Sequence, residues 1–393
     1  MNKKVLVTLI MIVNSILFTT AIINVAGKSL PLFYCNFLLA FTFYSDFDSV
    51  KISKNVLKRF IYLITAIFII GIPRIILNSS VFISFDLPQI LAYSLLITNG
   101  FLIYVLCKSL SVNQFNDLLK KILFFFISLF IYGIYTHFAQ VYGLPRFFDF
   151  LINSASFSFS ASTGGWVEIP RAYAVWSEPS YSILPLAITI ISIFKLKLRR
   201  LLRLFFVVII LYYTYLTYSR IAYIGVISVT ILYYTAPLFR VFRFRLFFSL
   251  IFMLLFTGVV LVSSTFSEDG STLSRAESIL IGTKLFLTQP ITGTGYNTYG
   301  LYNEQLSELP FLETEKVVHN LPVAWLQQGG ALGFLFLYLV FIAAIEKNSY
   351  RLKSIHDIYV FSALIIGCLS GNILYFSIFW AFYFIFLAQD EIY

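Results

Sequence analysis

Residues 195–245 read KLKLRRLLRLFFVVIILYYTYLTYSRIAYIGVISVTILYYTAPLFRVFRFR. Basic clusters at 195–203 and 240–245 bracket an apolar run from 204 to 236 whose middle is Tyr218-Ser219-Arg220. Cytoplasmic loops of membrane proteins collect Lys and Arg, so both clusters belong on one side and the run between them must go out and return. Each arm holds about 15 residues, about 22 Å of helix against a hydrocarbon core of about 30 Å. The pattern predicts a tight helical hairpin with Arg220 at, or slightly below, the outer interface.

The rest of the chain carries the same signature. Hydrophobic residues make up 59% of the 393 residues and charged residues 12%, where a soluble domain carries about 25% charged. Mean hydropathy is +0.87. A soluble fold of this length cannot hide so much apolar surface, which excludes a cytosolic enzyme, a secreted disulfide scaffold and a disordered chain. Apolar runs near 5–25, 30–44, 60–77, 89–107, 122–142, 180–194, 204–218, 221–236, 246–264, 322–345, 358–370 and 372–388 predict an all-α, polytopic transmembrane bundle of about 12 helices. The first run reaches Val25 without a small-x-small cleavage site and reads as a retained anchor. The last two, turning at Ser370-Gly371-Asn372, read either as a hairpin or as one long helix.

With the N-terminus inside, 20 of the 28 Lys and Arg fall in inside loops or at inside helix ends, at 3–4, 51–59, 108–121, 195–203, 240–245 and 347–353. The net charge of +10 is therefore a topological signal, and no nucleic-acid partner is expected. Cys35, Cys107 and Cys368 sit in apolar runs as small buried hydrophobes, and the three histidines lie in distant segments, so no metal centre and no cofactor is expected. Asp46-Phe47-Asp48 imitates the DxD of metal-dependent sugar transferases, but lies in a short inner loop without supporting acids.

Two outer loops are long, 143–179 and 265–321, and long loops carry function. They divide the chain into N-terminal transmembrane helices (1–142), a catalytic core (143–345) and a C-terminal hairpin (346–393). The outside cations include Arg171, Arg220 and Arg275, all in or beside these loops or at the short hairpin apex. A guanidinium at an interface suits a pyrophosphate, because its planar fork makes two hydrogen bonds and it stays charged. Arg171 leads to Glu178-Pro179 at the mouth of the next helix. Glu178 reads as a helix-start acid, or as a carboxylate that orients Arg171 or takes a sugar hydroxyl proton. Ser274-Arg275-Ala276-Glu277 reads as a capping box opening a short amphipathic helix that lies on the membrane, with Arg275 in its first turn. Gly293-Thr294-Gly295 reads as a turn. His319 stands where the loop re-enters the membrane, beside Asn320, a plausible helix cap. Histidine is the side chain able to take a hydroxyl proton near neutrality. Gly329-Gly330 and Gly333 read as a small-residue face for helix packing.

The ordered series Arg171, Glu178-Pro179, Ser219-Arg220, Arg275, Pro290 with Gly293-x-Gly295, His319-Asn320 and Gly329-Gly330-x-x-Gly333 resembles the O-antigen polymerase and O-antigen ligase superfamily over about 170–335. The resemblance implies a glycosyltransferase acting on undecaprenyl-pyrophosphate-linked glycans at the periplasmic face of the bacterial inner membrane, with the outer arginines and the histidine serving the pyrophosphate and the acceptor. It makes a metal-independent polymerase of O-antigen or capsular repeat units the expected activity. A ligase that transfers the finished glycan to lipid A core is the close alternative, and a 12-helix flippase the rival from another class. The expected site is His319 and Glu178 for catalysis, with Arg171, Arg220, Arg275 and Asn320 binding substrate. The expected partners are the lipid-linked donor and acceptor, membrane lipids, a chain-length regulator and a flippase.

Overall fold

The computed structural model describes residues 3–17, 21–25, 28–42, 50–77, 82–147, 160–162, 168–176, 179–235, 270–296, 298–300, 318–342 and 355–392, with short pieces between 253 and 262. Glu178, the Asp46–Asp48 pair, the 240–245 cluster, most of the 246–264 span and much of both long loops lie outside the described residues.

The elements in chain order are α1 (Lys3–Ile16), β1 (Ala21–Val25), β2 (Lys28–Pro31), α2 (Cys35–Thr42), α3 (Lys54–Leu77), α4 (Leu87–Lys108) and α5 (Val112–Tyr142). Then follow β3 (Ser160–Ser162), β4 (Glu168–Pro170), α6 (Ile183–Lys195), α7 (Arg200–Leu216) and α8 (Arg220–Thr235). The last are α9 (Gly270–Thr288), α10 (Leu321–Leu337, continued by a π-turn to Ile342), α11 (Ile355–Ser370) and α12 (Ser377–Ile392). The fold is helical apart from two antiparallel two-stranded ladders, β1–β2 and β3–β4, among the described residues. Four stretches, Lys54–Pro73, Leu87–Lys108, Val112–Tyr142 and Leu321–Phe341, are long and apolar enough to cross a membrane. The chain is a multi-pass membrane protein.

Several elements differ from the hydropathy reading. The expected first span, 5–25, is helical only to Ile16, after which β1 pairs with β2. The sequence there is Ala-Ile-Ile-Asn-Val, rich in β-branched side chains that fit a pleated strand better than a helix. Conversely, α5 begins ten residues before its apolar run. Ser111 and Gln114 close a capping box, Gly143 ends the helix at φ 65°, and Lys121 pairs with Asp117 one turn back. Charged residues lowered the hydropathy of that segment without ending its helix. The final two runs are separate helices, parted at Gly371 (φ 103°) and a 3₁₀ turn, Ile373–Tyr375.

Contacts gather the chain into two compact units, each made of discontinuous segments. The first comprises 1–52, 99–234 and 376–393; the second comprises 53–98 and 235–375. In the first, α5 packs on α1, α6 and α7. Gly133 of α5 leaves room for the ring of Tyr213 and the methyl of Ala174, where any side chain would collide. A buried amide network joins α1, α2 and α4: Asn36 Nδ2 donates to Asn99 Oδ1 (2.7 Å) and to Met11 O (2.9 Å), Asn14 Nδ2 to Asn36 Oδ1 (2.9 Å), and Asn99 Nδ2 to Ser15 Oγ (3.0 Å). Interhelical amide bonds of this kind help hold helices where lipid offers no hydrophobic drive between them.

In the second unit, α10 packs on α9, α3 and α11. The run 322–345, expected to be one crossing helix, is broken at Gly330, whose backbone (φ 56°, ψ −136°) is not helical. Trp325 and Phe336 stack with ring centroids 4.3 Å apart, whereas eleven residues of straight helix span about 16 Å. A Cβ on Gly333 would strike the Trp325 carbonyl. The helix doubles back on itself. Gly329-Gly330-x-x-Gly333 is thus a fold-back point as well as a packing face, with only Gly329 meeting a neighbouring helix, at Ile70 of α3.

Candidate functional site

In the first unit, the turn between α7 and α8 is built from residues 217–219. Thr217 Oγ1 donates to Thr214 O (2.6 Å) and accepts from Ser219 N (3.3 Å), and Ser219 Oγ receives Ala222 N at 3.4 Å. Ser219 therefore caps α8, and exposed Arg220 is its first residue, as expected from the sequence. Arg171 is half-buried against the same turn: its Nε donates to Thr217 O at 2.9 Å, and Ala172 N donates to Leu216 O at 2.9 Å. The carbonyls at the end of α7 lack helical partners, and the guanidinium satisfies one of them while placing positive charge at the negative end of the helix dipole. Ala174 (φ 53°) and Tyr218 (φ 48°) are the two non-glycine residues in the left-handed region among the described residues. Both flank this cluster, and such backbone costs about 1–3 kcal/mol each, held in place by the surrounding contacts. Two residues missed in the sequence complete the group. His137 and Gln140, one turn apart on α5, face the Pro170–Arg171 segment.

In the second unit, α9 runs alongside the first half of α10. Gly282 of α9 fits against Val318 and Val323. The helix starts at Gly270, so Ser274–Glu277 is not a capping box, and half-buried Arg275 lies in the second turn, away from the free amides of the first. Its buried face, with Ser274, Ser278, Ile281 and Leu285, packs in the protein and does not simply float at a surface. Ser278 Oγ donates to Arg275 O (2.8 Å) and accepts His319 N (3.1 Å), so one hydroxyl ties Arg275 to His319.

Asn320 caps α10, its Oδ1 accepting Val323 N at 3.1 Å. Its Nδ2 donates to Cys368 O (2.8 Å) and Thr257 Oγ1 (3.0 Å), and the residue is fully buried. Asn320, expected from the sequence to bind substrate, thus has its amide on three protein partners, and these fix the half-exposed His319 beside it. On the other flank, Gly371 lies against the His319 backbone. The next residue, Asn372, receives Trp325 Nε1 at 3.4 Å and donates to the Tyr93 hydroxyl. The Tyr93 ring in turn packs against those of Trp325, Tyr296 and Tyr375.

Below them, the loop after α9 meets the break in α10. Thr294 N donates to Gln327 O (2.7 Å), Gly295 N to Gln328 O (3.0 Å), and Ala331 N to Pro290 O (2.9 Å). In an unbroken helix Gln327 O and Ala331 N would bond to each other. Non-helical backbone survives at membrane depth only where protein satisfies it, and residues 290–295 do so here. Gly293 (φ 66°) and Gly295 (φ 105°) make the turn expected of the Gly-x-Gly, and a Cβ at Gly293 would strike the Gln328 backbone. Buried Asp86, also missed in the sequence, accepts the Tyr296 amide.

The structure thus brings Arg171 and Arg220 to one turn in the first unit, and Arg275, His319 and Asn320 to one junction in the second. Residues 204–338, about a third of the chain, match the family model of the O-antigen ligase, Wzy_C. The match includes Arg220, Arg275, His319, Asn320 and the fold-back glycines, and excludes Arg171, Glu178 and His137. No curated protein and no solved structure shows a significant match.

Proposed function

We propose that this membrane protein is a glycosyltransferase that polymerises undecaprenyl-pyrophosphate-linked repeat units of O-antigen or capsule at the periplasmic face of the inner membrane, a reading supported by the match of residues 204–338 to the O-antigen ligase family model. The observation that carries the reading is the fixing of His319, with its amide on Ser278 and its neighbour Asn320 pinned to α10 and α11. A general base must be held in place to take a proton from a poorly acidic sugar hydroxyl. In the reaction, the acceptor hydroxyl oxygen bonds to the anomeric carbon of the growing chain and its proton passes to His319 Nδ1 or Nε2. The bond from that carbon to the diphosphate breaks, and undecaprenyl diphosphate leaves. Arg171, Arg220 and Arg275 serve its negative charge, a role that fixed cations fill without a divalent ion. Glu178 is the alternative base.

That the matching family is the O-antigen ligase family favours a second reading, transfer of the finished glycan to lipid A core. Purified protein given lipid-linked repeat units, with and without lipid A core, separates the two. Ladders of longer lipid-linked chains without core support polymerisation; product that forms only with core assigns a ligase; unchanged substrate in both defeats the proposal.

A further inference from the structure

His137 lies 8% exposed on α5, with Nδ1 3.0 Å from Pro170 O. A carbonyl oxygen only accepts, so Nδ1 carries a proton and is the donor in this bond. One turn later Gln140 Nε2 donates to Arg171 O at 3.0 Å and to Thr136 O at 3.1 Å. Consecutive carbonyls at 170 and 171 are therefore gripped by one face of α5. From the other side, the end of α7 takes Arg171 Nε and Ala172 N. The Nε bond to Thr217 O anchors the guanidinium, a group whose planar fork suits a two-oxygen acceptor, at this turn. The His137 ring also lies 6.3 Å from that of Tyr218, the left-handed residue two before Arg220. A single imidazole thus supports the backbone leading to one arginine and the strained turn leading to the other.

We propose that His137 is a positioning residue for diphosphate binding: its Nδ1–H holds the Pro170–Arg171 segment so that the Arg171 fork is presented at the turn bearing Arg220. The proposal rests on the reading of Arg171 as a ligand of the donor diphosphate. It requires a donor at the Nδ1 position and gives Nε2 no part in proton transfer. Asn in place of His137 puts an amide N–H near the Nδ1 position and preserves the grip, whereas Gln puts its amide near Nε2 and Leu removes the donor.

The test uses the full-length protein in detergent, with a short-chain polyprenyl diphosphate as titrant and the monophosphate as control. Arg171→Ala tests the underlying reading, and His137→Leu, His137→Gln and His137→Asn test the inference. Loss of one positioning hydrogen bond is expected to weaken diphosphate binding about 3- to 10-fold in His137→Leu and His137→Gln. His137→Asn should restore most of it, and the same order should appear in KM for the lipid-linked donor with kcat within about twofold. His137→Gln carries the comparison if His137→Leu does not fold. Normal diphosphate binding by Arg171→Ala would overturn the reading and the inference together. Weak binding by Arg171→Ala with normal binding by both donor-deleted variants would overturn the inference alone. A fall in kcat that His137→Asn fails to restore would move the role to Nε2 and overturn it as well.

Discussion

Ala331 N donates to Pro290 O at 2.9 Å, a bond between the fold-back in α10 and the loop that ends α9. It exists because Gly330 withdraws Ala331 from its helical partner, and it makes the fold-back and the loop depend on each other. A Cβ at Gly330 would meet the backbone of Pro290 and Ile291 at 2.6 Å, and φ of 56° with ψ of −136° is glycine territory. Gly330→Ala should therefore cost about 1–3 kcal/mol in backbone strain alone, with more from the collision. Thermal unfolding of the purified protein checks this; a melting curve matching the parent would contradict the fold-back.

The three bonds of Asn320 set up a second test. Asn320→Ala loses a cap, about 0.5–2 kcal/mol, and leaves two other partners short. Asn320→Asp keeps the acceptor for Val323 N but turns a carboxylate oxygen toward Cys368 O. Both variants should be less stable and less active, and aspartate should fail to rescue. Full activity in Asn320→Asp would show that the Nδ2 bonds are not needed.

For Arg220 and Arg275 the expected loss follows from charge-assisted hydrogen bonds of about 1.5–3 kcal/mol, or about 10- to 150-fold in rate where the contact is made only in the transition state. Lysine keeps charge but loses the fork, so it should recover part of the activity. Arg220 is exposed and its substitution should leave folding intact. Normal chain assembly by the double alanine variant, at normal protein levels, would rule out the assignment.

His319→Ala should lower turnover about 100- to 10,000-fold, the usual contribution of a positioned base. The bond to Ser278 comes from the His319 main-chain amide and survives the change, so membrane insertion and melting temperature should stay near the parent values. If His319→Gln keeps near-full activity and Glu178→Gln abolishes it, the base is Glu178.

Arginines in place of a divalent ion imply that EDTA leaves transfer intact in the purified assay. Activity lost to the chelator and restored only by a divalent ion would contradict that account.

Hydropathy and charge were enough to establish a multi-pass helical membrane protein, and residue type marked the start of α8 at Ser219 and Arg220 and Asn320 as a helix cap, because these follow from local composition and from groups within three residues of each other. The match over 204–338 overlaps most of the stretch, about 170–335, on which the resemblance was read. The assembly of Arg171 onto Thr217, 46 residues away, and of His319 onto Ser278, 41 residues away, is a matter of tertiary contact. So are the grip of His137 on Pro170 and the burial of Asp86 against Tyr296. No local pattern marks them, since a histidine or aspartate near a helix end looks alike whether or not a distant segment arrives to meet it. The fold-back at Gly330 shows the limit most clearly. An apolar run reads as a straight span as long as its own backbone bonds are assumed, and only the loop from Pro290 to Gly295, arriving to take the Gln327 and Gln328 carbonyls and the Ala331 amide, makes the broken helix stable inside the protein.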